Sequence, residues 1–188
     1  MNNPPLQITP EDTPNPNSNR FALNRTILNG PGVDFPNPSS ARVSPLAREL
    51  FMLPGVRGVY IGPNFVTVSA EAPNWWTLRP LVSETIQIFI ASGKPVVEDG
   101  GAQQQESAPA PKYSEIEAGI VQLLETEIQP AVAMDGGFIA FAGYDKGIVK
   151  LQLRGACHSC PSSMVTLKVG IENRLKQQFP EIQGVEAV

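Results

Sequence analysis

Ile148-Val-Lys-Leu-Gln-Leu-Arg-Gly-Ala-Cys-His-Ser-Cys-Pro-Ser-Ser-Met164 is the stretch that decides how the C-terminal part of the chain folds. Val149, Leu151 and Leu153 alternate with Lys150, Gln152 and Arg154, the period of a strand with one buried face. Gly155 ends that alternation. Pro161 then opens a helix with the apolar stripe Met164, Leu167, Ile171, Leu175 and Phe179, and Pro180 stops it. Cys157 and Cys160 therefore fall where a strand gives way to a helix start. The free N–H groups and the positive dipole end at such a start favour thiolate over thiol.

Upstream, Ser114 and Glu117 have the spacing of a capping box. Ile116, Ile120, Leu123, Leu124 and Ile128 form one helical face, which Pro130 ends or kinks. Asp135-Gly136-Gly137 either lines the site or makes the turn into the next strand, and two glycines between a helix and a strand favour the turn. Phe138 to Ala142 and Ile148 to Leu153 form strands around Tyr144-Asp-Lys-Gly147, and Val185 to Val188 closes as a short last strand. The order is helix, strand, strand, helix, strand.

A linker precedes this unit. Val96 to Lys112 has no bulky apolar residue after Val97 and cannot bury itself. Before it, Phe21, Leu23 and Ile27 alternate with polar neighbours as in a strand. Ser44-Pro45 starts a helix carrying Leu46, Leu50 and Phe51, which Leu53-Pro54-Gly55 stops. Val56 to Ile61 and Phe65 to Val68 make a hairpin around Gly62-Pro63-Asn64. Asn74 caps a longer helix with the stripe Leu78, Leu81, Val82, Thr85 and Phe89, and Gly93, Lys94 and Pro95 end it. Trp75-Trp76 at its start is either a docking patch or a core anchor, and burial is expected of at least one. The expected fold class is α+β: two small α/β-sandwich-like domains joined by a flexible linker. The expected divisions are 1–19, a polar segment read as disordered; 20–95; the linker 96–112; and 113–188.

The composition narrows the chemistry. The chain has 188 residues and a net charge of −4, with 16 glycines and 19 prolines. An acidic balance gives it no general electrostatic reason to bind nucleic acid or anionic lipid. No apolar run reaches the roughly 18 residues that a membrane span needs. Residues 1–19 have neither the basic and apolar regions of a signal peptide nor the arginines of a transit peptide, so a cytoplasmic location is expected. A disulfide-stapled domain would use more than two cysteines at wider spacing. The single histidine, His158, sits between the cysteines and leaves no His-based triad or acid–base pair. No P-loop or dinucleotide fingerprint is present.

Three chemistries use a lone Cys-x-x-Cys at a helix start. A thioredoxin-like thiol–disulfide oxidoreductase needs a strand–helix–strand unit ahead of the motif and more chain than residues 113–188 contain. A closed zinc site needs four ligands, and one chain offers two sulfurs and, at most, His158. A four-cysteine iron–sulfur cluster needs four thiolates, which two chains supply together. Ligand count favours a metal shared between chains without choosing iron over zinc.

Met134-Asp-Gly-Gly137, the hairpin after it, and Leu153-Arg-Gly-Ala-Cys-His-Ser-Cys-Pro-Ser-Ser-Met164 resemble the C-terminal domain of the NifU-like (Nfu-type) iron–sulfur cluster scaffold and carrier proteins. The first segment, from Thr13-Pro-Asn-Pro-Asn-Ser-Asn-Arg-Phe21 onward, resembles that family's other domain. The resemblance implies that Cys157 and Cys160 ligate a [4Fe-4S] cluster that bridges two chains. It also implies that the cluster arrives from upstream assembly machinery, passes to apo iron–sulfur proteins, and holds a homodimer together only while bound. Such a protein is a carrier, not a turnover enzyme. Asn29 to Ser40, rich in Pro and Asn, is an insertion-like loop with no assigned role.

Overall fold

The computed structural model describes residues 5–30, 32–71, 73–98, 114–156 and 161–188, except for the side chains of 161–167. The chain divides into two compact units, Met1–Ala108 and Pro109–Val188. Each combines helices with a sheet, the α+β class expected from the sequence.

The first unit contains β1 (Ile8–Asp12), β2 (Ser18–Leu23), β3 (Val33–Phe35), α1 (Pro45–Phe51), β4 (Val56–Ile61), β5 (Phe65–Ala70) and α2 (Trp75–Ala91). Its strands form an antiparallel sheet in the order β1-β2-β5-β4-β3. Phe21, Val66, Ile61 and Val33 lie in register across it and pack with Leu46 and Leu50 of α1 and Leu78, Val82, Ile86 and Phe89 of α2. One residue out of phase, Glu11, Arg20, Thr67, Tyr60 and Asp34 form a second row, one from each strand, on the other face. There Arg20 pairs with Glu11 and lies 4.7 Å above the Phe65 ring, whose neighbour is Tyr60.

Several expectations are corrected here. Residues Ile8–Asp12 fall in the segment read as disordered, yet they pair along β2 as an edge strand. Pro10 masks the pattern and is tolerated because an edge has one unpaired side. The Asn29 to Ser40 loop contains β3, whose Val33 and Phe35 are buried against the core. Val96, placed in the linker, is buried instead, and its carbonyl accepts from Ser44 Oγ at 2.7 Å. On α2 the core position belongs to Ile86, while Leu81 lies at the exposed edge of the stripe and Thr85 Oγ donates to the Leu81 carbonyl. Asn74 stands at the N-cap of α2 without a side-chain capping bond.

The second unit contains α3 (Glu115–Leu123), a π turn (Leu124–Ile128), α4 (Gln129–Met134), β6 (Gly137–Asp145), β7 (Ile148–Gly155), α5 (Pro161–Gln178) and β8 (Gly184–Ala187). Pro130 does not end the helix. It has no N–H to donate, and the wider π turn just before it absorbs the missing bond. The β6–β7 hairpin closes through Lys146 and Gly147, both at positive φ, tighter than the expected loop. β8 pairs parallel with β7. Ile120, Leu123, Val132, Leu151, Ile171 and Leu175 share one core. Glu172 of α5 accepts from the Val185 N–H of β8 and from Lys176, and Arg174 pairs with Glu127.

Two outcomes follow from these contacts. Ser44 is buried, accepts from the Ala47 N–H at 3.0 Å and donates to Val96. Ser44→Ala should cost about 2 kcal/mol by removing a cap and orphaning two backbone groups. Both tryptophans lie in the first unit, so a lower urea midpoint in tryptophan fluorescence reads it directly. Glu172 has its pKa lowered, first by the Lys176 bond and then by the Val185 N–H. A depressed carboxyl stabilises the fold above the ordinary Glu range and loses that contribution as pH falls through the folded value. Glu172→Gln should therefore weaken Val185 amide protection at neutral pH, and the two proteins should converge in acid.

Candidate functional site

One end of the β6–β7 hairpin gathers three chain segments. Gly137 opens β6 opposite Gly155, which ends β7. The Ala156 N–H donates to the Gly136 carbonyl at 3.1 Å, and Ala156 is buried. Gly136 also ends α4. Its N–H donates to the Ala133 carbonyl, and that of Asp135 to the Ala131 carbonyl. Gly136 at φ +73° and Gly155 at φ +66° occupy the left-handed region, where a side chain is strained. The stop of α4, the start of β6 and the end of β7 are thus fastened at one place. Asp135-Gly136-Gly137 is a turn, as expected, and it is also bonded to the residue just before Cys157.

α5 begins at Pro161, immediately after Cys160. Cys157, Cys160 and His158 lie outside the described residues, as do the side chains of Met164 and Leu167. Among the described residues, no group of three or more His, Cys, Asp or Glu is placed to hold a metal ion.

The support behind the turn was not visible in the sequence. Gln129 accepts from the Ile139 N–H of β6 at 3.0 Å through its side-chain oxygen, so α4 is tied to the strand that follows it. No motif marks that contact, because it joins a helix start to a strand ten residues away. Asp135 is solvent-facing as a residue, yet partial burial of its carboxyl pushes its pKa up. The two tryptophans part company. Trp75 is half-buried and donates to the Pro16 carbonyl, whereas Trp76 is 90% exposed.

A family model described as NifU-like domain matches residues 120–186. Another, described as scaffold protein Nfu/NifU N terminal, matches residues 8–93. The chain is 44% identical to the human mitochondrial NFU1 iron-sulfur cluster scaffold homolog over 183 residues, covering 96% of this chain and 71% of that protein. The chain belongs to the Nfu/NifU scaffold family. It is also 44% identical to the Drosophila erecta protein of the same name, covering 96% of this chain and 64% of that one. The solution structure of a NifU-like protein from Saccharomyces cerevisiae aligns at 24% identity and a TM-score of 0.46, over 53% of this chain and 91% of that one. The Nfu/NifU N-terminal match begins at residue 8, where β1 begins. No helix of the described residues is long and apolar enough to cross a membrane.

The Asp135 carboxyl sets a further test. Its raised pKa means that the folded chain holds the proton more tightly than the unfolded chain, so stability declines as pH rises through the window above the ordinary Asp range. Asp135→Asn should make the second unit more stable than the parent at neutral pH, and the advantage should vanish below that window. Amide exchange of Ile139 and Leu151 at a series of pH values measures it.

Proposed function

We propose that this protein is an iron–sulfur cluster carrier whose cargo is a [4Fe-4S] cluster, held between two chains by Cys157 and Cys160 of each. What carries this reading is that these are the only two thiols in the chain. They fall between the bonded end of β7 and the start of α5. A four-cysteine cluster takes four thiolates, so one chain supplies half the ligands and a two-fold pair supplies all of them. Family membership and the names of the relatives support cluster scaffolding, and the ligand count supports sharing between chains.

The chemistry is ligand exchange. Upstream assembly machinery delivers the cluster, and thiolates of an apo iron–sulfur protein then displace Cys157 and Cys160 stepwise. No turnover of substrate by the chain is involved. Binding is coupled to pairing of two chains, and release to their separation. The C-terminal residues 113–188 are the cluster-binding domain. The N-terminal domain, which has no thiol and no histidine, serves as a docking or specificity module. A reducing compartment keeps both thiols available, and the cytoplasm meets that need.

Anaerobic reconstitution of the full chain followed by native mass spectrometry tests the proposal. The apo chain should be mainly monomeric, and the loaded chain should be a dimer with one cluster per two chains. Cys157→Ser and Cys160→Ser should each lose stable cluster binding, while His158→Ala should stay near the parent. A colourless chain that cycles through an intramolecular disulfide would point instead to a thiol–disulfide oxidoreductase, and zinc in place of iron to a zinc-bridged interaction protein.

A further inference from the structure

Asn29-Gly30 is the one Asn-Gly step in the chain, and it opens the loop that carries no assigned role. The chain is held on both sides of this step. The Ile27 and Leu28 N–H groups donate to the Pro63 carbonyl at 2.7 and 3.2 Å, and Val33 pairs with Ile61 where β3 begins. Gly32 packs so closely on Tyr60 that a β-carbon there would collide with the ring and its hydroxyl. Asn29 and Gly30 are built differently. Both are exposed, and no hydrogen bond joins either to another described residue. Gly30 stands at φ +98°, and a β-carbon built on it would meet nothing within 4 Å. The other asparagines are held more firmly. Ser18, which follows Asn17, is buried, and its N–H donates to the Asn15 carbonyl at 2.9 Å, while the Asn17 carbonyl accepts from Ala70 at 2.8 Å. The Asn24 side chain is bonded to Pro5 and to Gln7.

We propose that Asn29 is a site of spontaneous covalent modification, deamidation with isoaspartate formation, in which the Gly30 backbone nitrogen attacks and water is the co-reactant. The Gly30 nitrogen bonds to the side-chain carbonyl carbon of Asn29, and the bond from that carbon to Nδ2 breaks. Nδ2 leaves as ammonia, taking up the proton that the Gly30 nitrogen loses. Water then opens the succinimide at one of its two carbonyls, giving an aspartyl or an isoaspartyl linkage. No electrons are exchanged with any other species. Ring closure requires that the backbone at this step can turn and that the attacking nitrogen is unobstructed. A residue without a β-carbon, in open space, meets both conditions. An asparagine followed by proline meets neither, because proline has no N–H to give up. The anchors at Ile27, Leu28 and Val33 keep the sheet paired while the ring forms. Either product adds one negative charge to a chain whose net charge is −4, and the isoaspartyl form adds a methylene to the backbone ahead of β3.

The test is incubation of the full chain at neutral pH, folded and in urea, with peptide mapping by mass spectrometry over time. In the folded chain the Asn29 peptide should gain one mass unit at least tenfold faster than any other asparagine peptide. It should also become a substrate for an isoaspartyl methyltransferase supplied with a labelled methyl donor. Its rate in the folded chain should lie within about threefold of its rate in urea, whereas folding should slow Asn17 at least tenfold. Asn29→Gln, which cannot close the five-membered ring, should lose the methyl acceptance and keep the parent's urea midpoint. Folding that protects Asn29 tenfold or more would overturn the proposal, and so would methyl acceptance that is undiminished in Asn29→Gln.

Discussion

The hydrogen bond from the Ala156 N–H to the Gly136 carbonyl is the constraint on which the second unit's site depends. It is short in space and long in sequence, and it forms only because two residues adopt left-handed backbone conformations. Gly136 turns the chain out of α4 so that its carbonyl faces β7, and Gly155 turns β7 so that the next N–H meets it. A β-carbon at either position adds strain at the point where three segments converge. The bond fixes one end of the cysteine connection. The other end continues into α5, which is anchored by buried Ile171 and Leu175 and by the Glu172 link to β8.

Core packing and backbone pairing hold the frame, and in the sequence the two cysteines fall between β7 and α5. In the proposed function cargo leaves by ligand exchange at the cysteines. Only the pairing of two chains changes. On that reading each chain supplies half of the ligands, and incoming thiolates can displace them.

The first unit solves a different problem. Its sheet buries one face under α1 and α2, and on the other it aligns Glu11, Arg20, Thr67, Tyr60 and Asp34 across five strands. Arg20 is neutralised by Glu11 and stacked on Phe65, so a charged side chain can be half-buried there without a lone charge in the interior. Short or proline-bearing edges, β3 and β1, limit open-ended strand pairing. The Thr13 to Asn17 turn adds its own bonds. Thr13 Oγ donates to the carbonyls of Asn15 and Ser18, and the Trp75 indole reaches the Pro16 carbonyl.

Periodic and capping signals are local, and they were legible in the sequence. Alternation located β7 and β2, the Gly62-Pro63-Asn64 turn located β4 and β5, the Ser44-Pro45 and Ser114/Glu117 pairs located two helix starts, and the block around Cys-x-x-Cys carried the family resemblance. What stayed hidden depends on partners distant in the chain. β1 and β3 are too short or too proline-marked to declare themselves, and only pairing with β2 and β4 makes them strands. Val96 looks like linker until Ser44 and the core claim it. Pro130 reads as the end of a helix or a kink in it because its missing N–H is a local fact, whereas the π turn that accommodates it is held by packing of Leu124 and Ile128. Residue type and spacing determined which atoms this chain can offer a cluster. Only tertiary structure decided that the Asp135–Gly137 turn is tied to the end of β7, because a backbone bond across 20 residues leaves no periodic trace in sequence.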